Sequence, residues 1–215
     1  MIRAETSRAR IVDFDDTLFV RGTPTRLIGL VGGKLHGAKS LLPTRDDISL
    51  LTLQHDATDE DVRTITELFS LYAHSERPLF PGVKKALTIL ASEGVDVYGN
   101  TGRSNRIAWV NMTEEALKKG DVLNLFRGVF YTPEGIKTAV SKAHAIHLLR
   151  ERYDHLVFDE DDPRTALYVA RLFPDVQVNL IHHGSTGLLV DRRELVGIPN
   201  LRRVVAFEAH PTPIT

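Results

Sequence analysis

The stretch Ile11-Val12-Asp13-Phe14-Asp15-Asp16-Thr17-Leu18-Phe19 sets an apolar, β-branched lead-in directly against three carboxylates. The lead-in predicts a short buried strand that ends near Asp13. Strands of this kind are covered on both faces in an α/β domain, and ligands gather beyond their carboxyl ends. Asp13 and Asp15 stand two residues apart, so if the strand continues that far both lean to one side. Two like charges held close repel, and something must offset them. A hard divalent cation does so in many proteins, because Mg²⁺ takes oxygen ligands in octahedral geometry. A solvated acidic turn is the other reading of the same residues, and the rest of the chain has to choose.

Working outward, residues 81–181 alternate between two periods. Residues 83–93 repeat apolar side chains at helical spacing, with Gly94 placed to stop the helix. Residues 95–98 form a strand pattern that runs into Asn100-Thr101-Gly102-Arg103, and a helix is expected over 104–119. Strands are expected at 129–131, 155–158 and 176–181, with helices over 139–150 and 165–173 between them. Alternation of this sort predicts a parallel sheet in an α/β, Rossmann-like core. In such a sheet the ends carrying Asp13/Asp15, Thr101 and Asp159/Glu160 converge on one edge, although they are far apart in sequence.

The span 20–79 interrupts that pattern. Thr58 followed by Asp59, Glu60 and Asp61 reads as a helix start, and Val62, Ile65, Phe69 and Tyr72 recur at helical spacing. A small, largely helical insertion is expected over 20–79, with the core formed by 1–19 and 80–215. The Gly32-Gly33-Lys34 step is not a phosphate-binding loop: Gly29 is too near, and Leu35 stands where a Ser or Thr is needed. The tail from residue 184 predicts only short elements around 188–196 and 201–207.

Composition narrows the function. With 215 residues, 42% hydrophobic and 26% charged, the chain is an ordinary globular sequence with enough length for a core. A net charge of −1 gives no general pull toward nucleic acid or anionic membrane. The absence of cysteine excludes disulfides, thiolate metal sites and cysteine nucleophiles. No signal peptide is expected in residues 1–10, and no apolar run is long enough to span a membrane, so a cytoplasmic protein is expected. His144/His147 and His182/His183 lack the third ligand and the spacing of a zinc site.

The stretch around Asp13 resembles the first motif of the haloacid dehalogenase superfamily, four apolar residues followed by D-x-D-x-T-L. Arg10 replaces one of the apolar positions, and Asp16 stands where many members carry glycine. The later motifs follow in order: Thr101 closing a strand, a lysine before the fourth strand, and Asp159-Glu160 closing that strand. The resemblance implies a Mg²⁺-dependent phosphatase that hydrolyses a small phosphate monoester through an aspartyl-phosphate, with 20–79 as a cap over the site. Asp13 would be the nucleophile and Asp15 the proton carrier. Thr101 would bond the phosphoryl group, with Gly102 and Arg103 beside it as substrate contacts and Arg106 nearby. Lys142, or failing it Lys137, would neutralise the phosphate. Mg²⁺ would be held by Asp13, the Asp15 carbonyl, Asp159 and Glu160, with Asp161 or Asp162 sharing the work or Asp162 capping the next helix. Thr101-Gly102-Arg103 is also similar to the Ser/Thr-Gly-Arg segment of polynucleotide-end phosphatases, which makes a nucleic-acid end an alternative substrate. A non-catalytic binding module on the same fold is the remaining alternative.

Overall fold

The computed structural model describes residues 7–20, 77–182 and 197–210. Its strands are β1 (Arg8–Val12), β2 (Asp96–Ser104), β3 (Gly128–Thr132), β4 (His155–Glu160), β5 (Gln177–Ile181) and β6 (Leu201–Val204). Its α-helices are α1 (Val83–Ser92), α2 (Ile107–Lys119), α3 (Thr138–Arg150) and α4 (Pro163–Leu172). All six strands are parallel, in the order β3-β2-β1-β4-β5-β6. This is the α/β, Rossmann-like architecture expected from the alternating pattern. The order reverses between β1 and β4, so a crevice opens at their carboxyl ends.

Period two sorts each strand onto two cores. On one face, Ala9 and Ile11 of β1 join Phe158, Val178 and Leu180 against α3 and α4. The opposite face carries Val12 and Val97 against α1 and α2, with Phe14, Leu87, Leu117 and Phe207. Ile11, Leu87, Leu117 and Phe158 are completely buried. Each such side chain contributes about 1.5–3 kcal/mol by leaving water.

Several boundaries differ from those expected. β1 begins at Arg8, ahead of the apolar Ile11-Val12 lead-in, and Arg10 within it has a buried charge partner described below. β2 continues to Ser104 instead of stopping at Tyr98, so Thr101, Gly102 and Arg103 lie within the strand. Its pairing with β3 shifts register between Asn100 and Ser104 and resumes at Ser104 opposite Thr132. A Cβ on Gly99 would stand 2.3 Å from the Phe14 ring, and glycine lets strand and ring share that space. β4 runs through Asp159 and Glu160, which puts the two acids on opposite faces of the sheet. Asp162 caps α4, accepting from the Arg164 and Thr165 amides at 3.3 and 3.2 Å.

The chain leaves the core at Val20 and rejoins it beside that point. The Val20 amide donates to the Pro78 carbonyl at 2.9 Å and the Phe80 amide to the Leu18 carbonyl at 2.8 Å. The expected helical cap over 20–79 lies almost wholly outside the described residues, as do His183 and the element expected at 188–196. No helix among the described residues is long and apolar enough to cross a membrane.

Candidate active site

The crevice is built by parity. Asp13 follows Ala9 and Ile11 on the α3 side of β1, and Glu160 follows Leu156 and Phe158 on the same side of β4. Lys142 shares a helical stripe with Ile146 and Leu149, which pack on that face. Helical side chains lean toward the N-terminus, so Lys142 reaches back to the strand ends. Its ammonium donates to Asp13 Oδ1 and to Glu160 Oε2, both at 2.6 Å. All three residues are buried. Asn100 of β2 pins the helix here, donating from Nδ2 to the Lys142 carbonyl at 3.0 Å. Lys137, the alternative lysine, precedes α3 as its N-cap and is exposed.

Asp161 completes the group. Carboxylate oxygens of Asp13, Glu160 and Asp161 lie within 4.8 Å of one another, and all three residues are buried. Burial raises Asp13 above its ordinary value, against the pull of Lys142 and with the repulsion of Asp15. Burial pushes Glu160 up to about 8, with Asp13 adding to the rise and Lys142 opposing it. Asp161 is pushed up to about 10, first by burial and then by Asp13 and Glu160. Burial works against the Lys142 charge, yet the Asp13 and Glu160 carboxylates raise its pKa. Three buried carboxylates thus share one ammonium. Clustered oxygen donors with a negative surplus form the set that a hard divalent cation takes.

The structure does not bring Asp159, expected among the metal ligands, into this group. Alternation turns it to the other face of β4. There Arg10 donates to it from Nε at 2.5 Å and from Nη2 at 2.9 Å, and Asn179 donates at 2.9 Å. The Arg10 guanidinium also stacks 4.6 Å from the Phe207 ring and bonds the Ala209 carbonyl. The two departures from a simple reading, an arginine in an apolar strand and a surplus acid, are each other's partner.

Asp15 also points elsewhere. Its Oδ1 accepts from Arg77 Nη1 and from Arg103 Nη2, both at 2.6 Å, and its Oδ2 accepts from Arg103 Nε at 3.0 Å. Arg103 is itself buried, and its Nη1 donates to Thr113 Oγ1 at 3.0 Å. Arg103, expected as a substrate contact, thus directs these donors to Asp15 and Thr113. Thr101 is buried in β2, where its hydroxyl accepts from the Arg103 amide at 3.2 Å. Gly102 is exposed, and a Cβ there would stand 3.0 Å from the Thr138 methyl at the start of α3. Arg106 is the N-cap of α2. Asp16, in the glycine position of the motif, has φ +62°. Aspartate is among the few residues other than glycine that adopt this conformation readily. The turn is closed by the Leu18 and Phe19 amides, which both donate to the Phe14 carbonyl.

The architecture can be set beside solved structures. A haloacid dehalogenase-like family hydrolase from Streptococcus pneumoniae superposes with a TM-score of 0.55 at 17% identity, covering 93% of this chain and 95% of its own. The fold is that of the haloacid dehalogenase-like hydrolases. A haloacid dehalogenase-like hydrolase from Burkholderia xenovorans LB400 gives 0.53 at 14% identity, with 94% and 93% covered. A dehalogenase gives 0.52 at 14% identity, with 85% and 88% covered. At these identities the likeness speaks for the fold alone. No protein-family model matches the sequence, and no curated protein does. In this haloacid dehalogenase-like fold, Asp13, Lys142, Glu160 and Asp161 meet at the switch point of the sheet. Arg77, which the sequence reading did not single out, stands beside them through Asp15.

Proposed function

We propose that the chain is a Mg²⁺-dependent phosphatase acting on a small phosphate monoester, with Asp13 as nucleophile. The observation that carries this reading is the buried Asp13–Lys142–Glu160 contact with Asp161 beside it, at the crevice between β1 and β4. Asp13, Glu160 and Asp161 would hold Mg²⁺, with the Asp15 carbonyl as an expected further donor. Bound there, Mg²⁺ would act as a Lewis acid toward the phosphoryl oxygens and offset the charge of the three acids. The fit is one of charge and chemistry: burial disfavours the charge on Glu160 and Asp161, and a cation bound among them would favour it.

The remaining steps belong to the chain's own side chains. An Asp13 oxygen attacks phosphorus, forming the Asp13 O–P bond as the bond to the leaving oxygen breaks. Lys142 is already at Asp13 and holds positive charge where the phosphoryl oxygens gather. Asp15 gives its proton to the leaving oxygen, so that the alcohol departs neutral. Asp15 then takes a proton from water, which attacks phosphorus and releases phosphate with restoration of Asp13. A carboxylate two residues after the nucleophile suits ester hydrolysis, and halide displacement has no leaving oxygen to protonate. The polynucleotide-end alternative drew on Arg103, whose donors go to Asp15 and Thr113, so a small ester is the preferred substrate class.

The test is hydrolysis of a panel of sugar phosphates, nucleotides, aryl phosphates and end-phosphorylated oligonucleotides, with and without Mg²⁺. Metal-dependent turnover that Asp13→Asn removes is the expected result. Hydrolysis that survives Asp13→Asn would overturn the role given to Asp13.

A further inference from the structure

Lys142 is held at its backbone and at its ammonium by one row of side chains that crosses the sheet. Val12 of β1 stands opposite Gly99 of β2 and opposite Asp159 of β4. One step further along these parallel strands, Asn100, Asp13 and Glu160 are therefore neighbours. All three face α3. Asn100 shares its face of β2 with Tyr98, which packs against the core on the α3 side. Asp13 and Glu160 meet the Lys142 ammonium, and from the same row Asn100 donates from Nδ2 to the Lys142 carbonyl at 3.0 Å. A carbonyl inside a helix already receives its intrahelical donor and has a lone pair left for a second. The strands thus fix where the Lys142 side chain begins as well as where it ends. Asn100 is only 1% exposed, and its Oδ1 has no hydrogen-bond partner among the described residues. An unpaired buried oxygen costs stability, and an apolar side chain of like volume would avoid that cost while the helix carbonyl kept its own donor. Stability does not account for asparagine at this position, whereas a donor directed at the lysine backbone does.

We propose that Asn100 is a positioning residue that holds the backbone of Lys142, so that the ammonium stays on Asp13 and Glu160 during phosphoryl transfer. The inference rests on the phosphatase reading and deepens it. A lysine carries its charge on a flexible four-carbon stem, so any shift of the helix at the root of that stem reaches the tip. Electrostatic stabilisation needs its donors in place before charge develops, and a displacement of about 1 Å can cost about 100-fold in rate. Asn100 touches the Lys142 backbone and acts through Lys142.

The experiment compares the wild-type protein with Asn100→Leu, which keeps the volume and removes the donor. On the ester that the wild type hydrolyses best, kcat is expected to fall about 10–100-fold. The lysine charge remains in the crevice, so KM should change by less than about 3-fold. Tm should hold or rise, because the unpaired Oδ1 is gone. A residue kept for stability alone would instead lower Tm and leave the kcat of the folded enzyme unchanged. Crystal structures of both proteins, grown in Mg²⁺, are expected to show the ammonium on Asp13 and Glu160 in the wild type and the loss of at least one of these contacts in the variant. A kcat within about 2-fold of the wild type, or an ammonium still on both carboxylates in the variant, would overturn the proposal. If Asn100→Leu does not fold, Asn100→Ala carries the kinetic and crystallographic measurements. If the wild-type protein hydrolyses no ester, the phosphatase reading fails separately, and the two crystal structures still decide whether Asn100 places Lys142.

Discussion

Removing divalent metal should make the protein's stability fall as pH rises from 6 to 8, and restoring Mg²⁺ should flatten that fall. The sign follows from Glu160. Its ordinary value is 4.5 and burial raises it to about 8 in the folded protein. Between those values the folded state keeps a proton that the unfolded chain releases. The stabilisation is therefore full below 4.5 and is lost as pH climbs through about 8. One such group costs about 1.4 kcal/mol per pH unit within its window. Asp161, pushed up to about 10, acts in the same direction over the same range. For a chain of this size 1 kcal/mol moves Tm by about 2–4 °C, so Glu160 alone predicts a fall of about 3–6 °C per pH unit. Mg²⁺ must displace these protons, and each one displaced raises its apparent affinity about tenfold per pH unit. Mg²⁺ should thus add little to Tm at pH 6 and several degrees at pH 8, in proportion to its occupancy. Differential scanning fluorimetry in EDTA and in Mg²⁺ across pH 6–8 measures both slopes, and Glu160→Gln isolates this group from the histidines by removing its share. A metal-free Tm that stays level or rises with pH, with a Mg²⁺ increment equal at pH 6 and 8, would refute the charge account of the site.

Two further perturbations separate the site from its support. Asp159→Ala leaves Arg10 buried without its carboxylate and should destabilise by about 3–5 kcal/mol, whereas Arg10→Met with Asp159→Leu should recover most of that in urea denaturation. Both proteins, where folded, should retain Mg²⁺ binding by calorimetry, because Asp159 faces away from the three-acid group. Gly99→Ala drives a methyl into the Phe14 ring, 2.3 Å from the added carbon. The resulting overpacking should cost about 1–3 kcal/mol, read as a lower denaturation midpoint.

The order of strands and helices from residue 81 to 181 was legible because each element carries one clean period and a stop signal such as Gly94. The convergence of Asp13, Lys142 and Glu160 follows from that order once the strands are parallel. The boundaries of β2 and β4 were harder to see. Thr101-Gly102-Arg103 has the composition of a loop, and it lies in the register shift between Asn100 and Ser104, after which pairing with β3 resumes at Thr132. The separation of Asp159 from Glu160 had a signal: with Leu156 and Phe158 facing α3, parity sends Glu160 to that side and Asp159 to the other. Arg10 was a second signal, since a charge inside an apolar strand needs an opposite charge from a neighbouring one. Arg77 had none, because nothing in the residues around it ties position 77 to Asp15 across 62 intervening steps of chain.

The partition of acids by strand parity also limits what the crevice can hold. Four acids follow one another from Asp159 to Asp162, and a site that gathered them all would bring four like charges to Asp13. Alternation removes Asp159 to Arg10 and Asn179 on the far face. The helix start removes Asp162, whose oxygens are taken by the Arg164 and Thr165 amides and the Thr165 hydroxyl. Glu160 and Asp161 remain with Asp13, three carboxylates opposed by the single ammonium of Lys142, so one divalent cation would balance the residual charge. Asp15, tied separately by Arg77 and Arg103, stays out of that count.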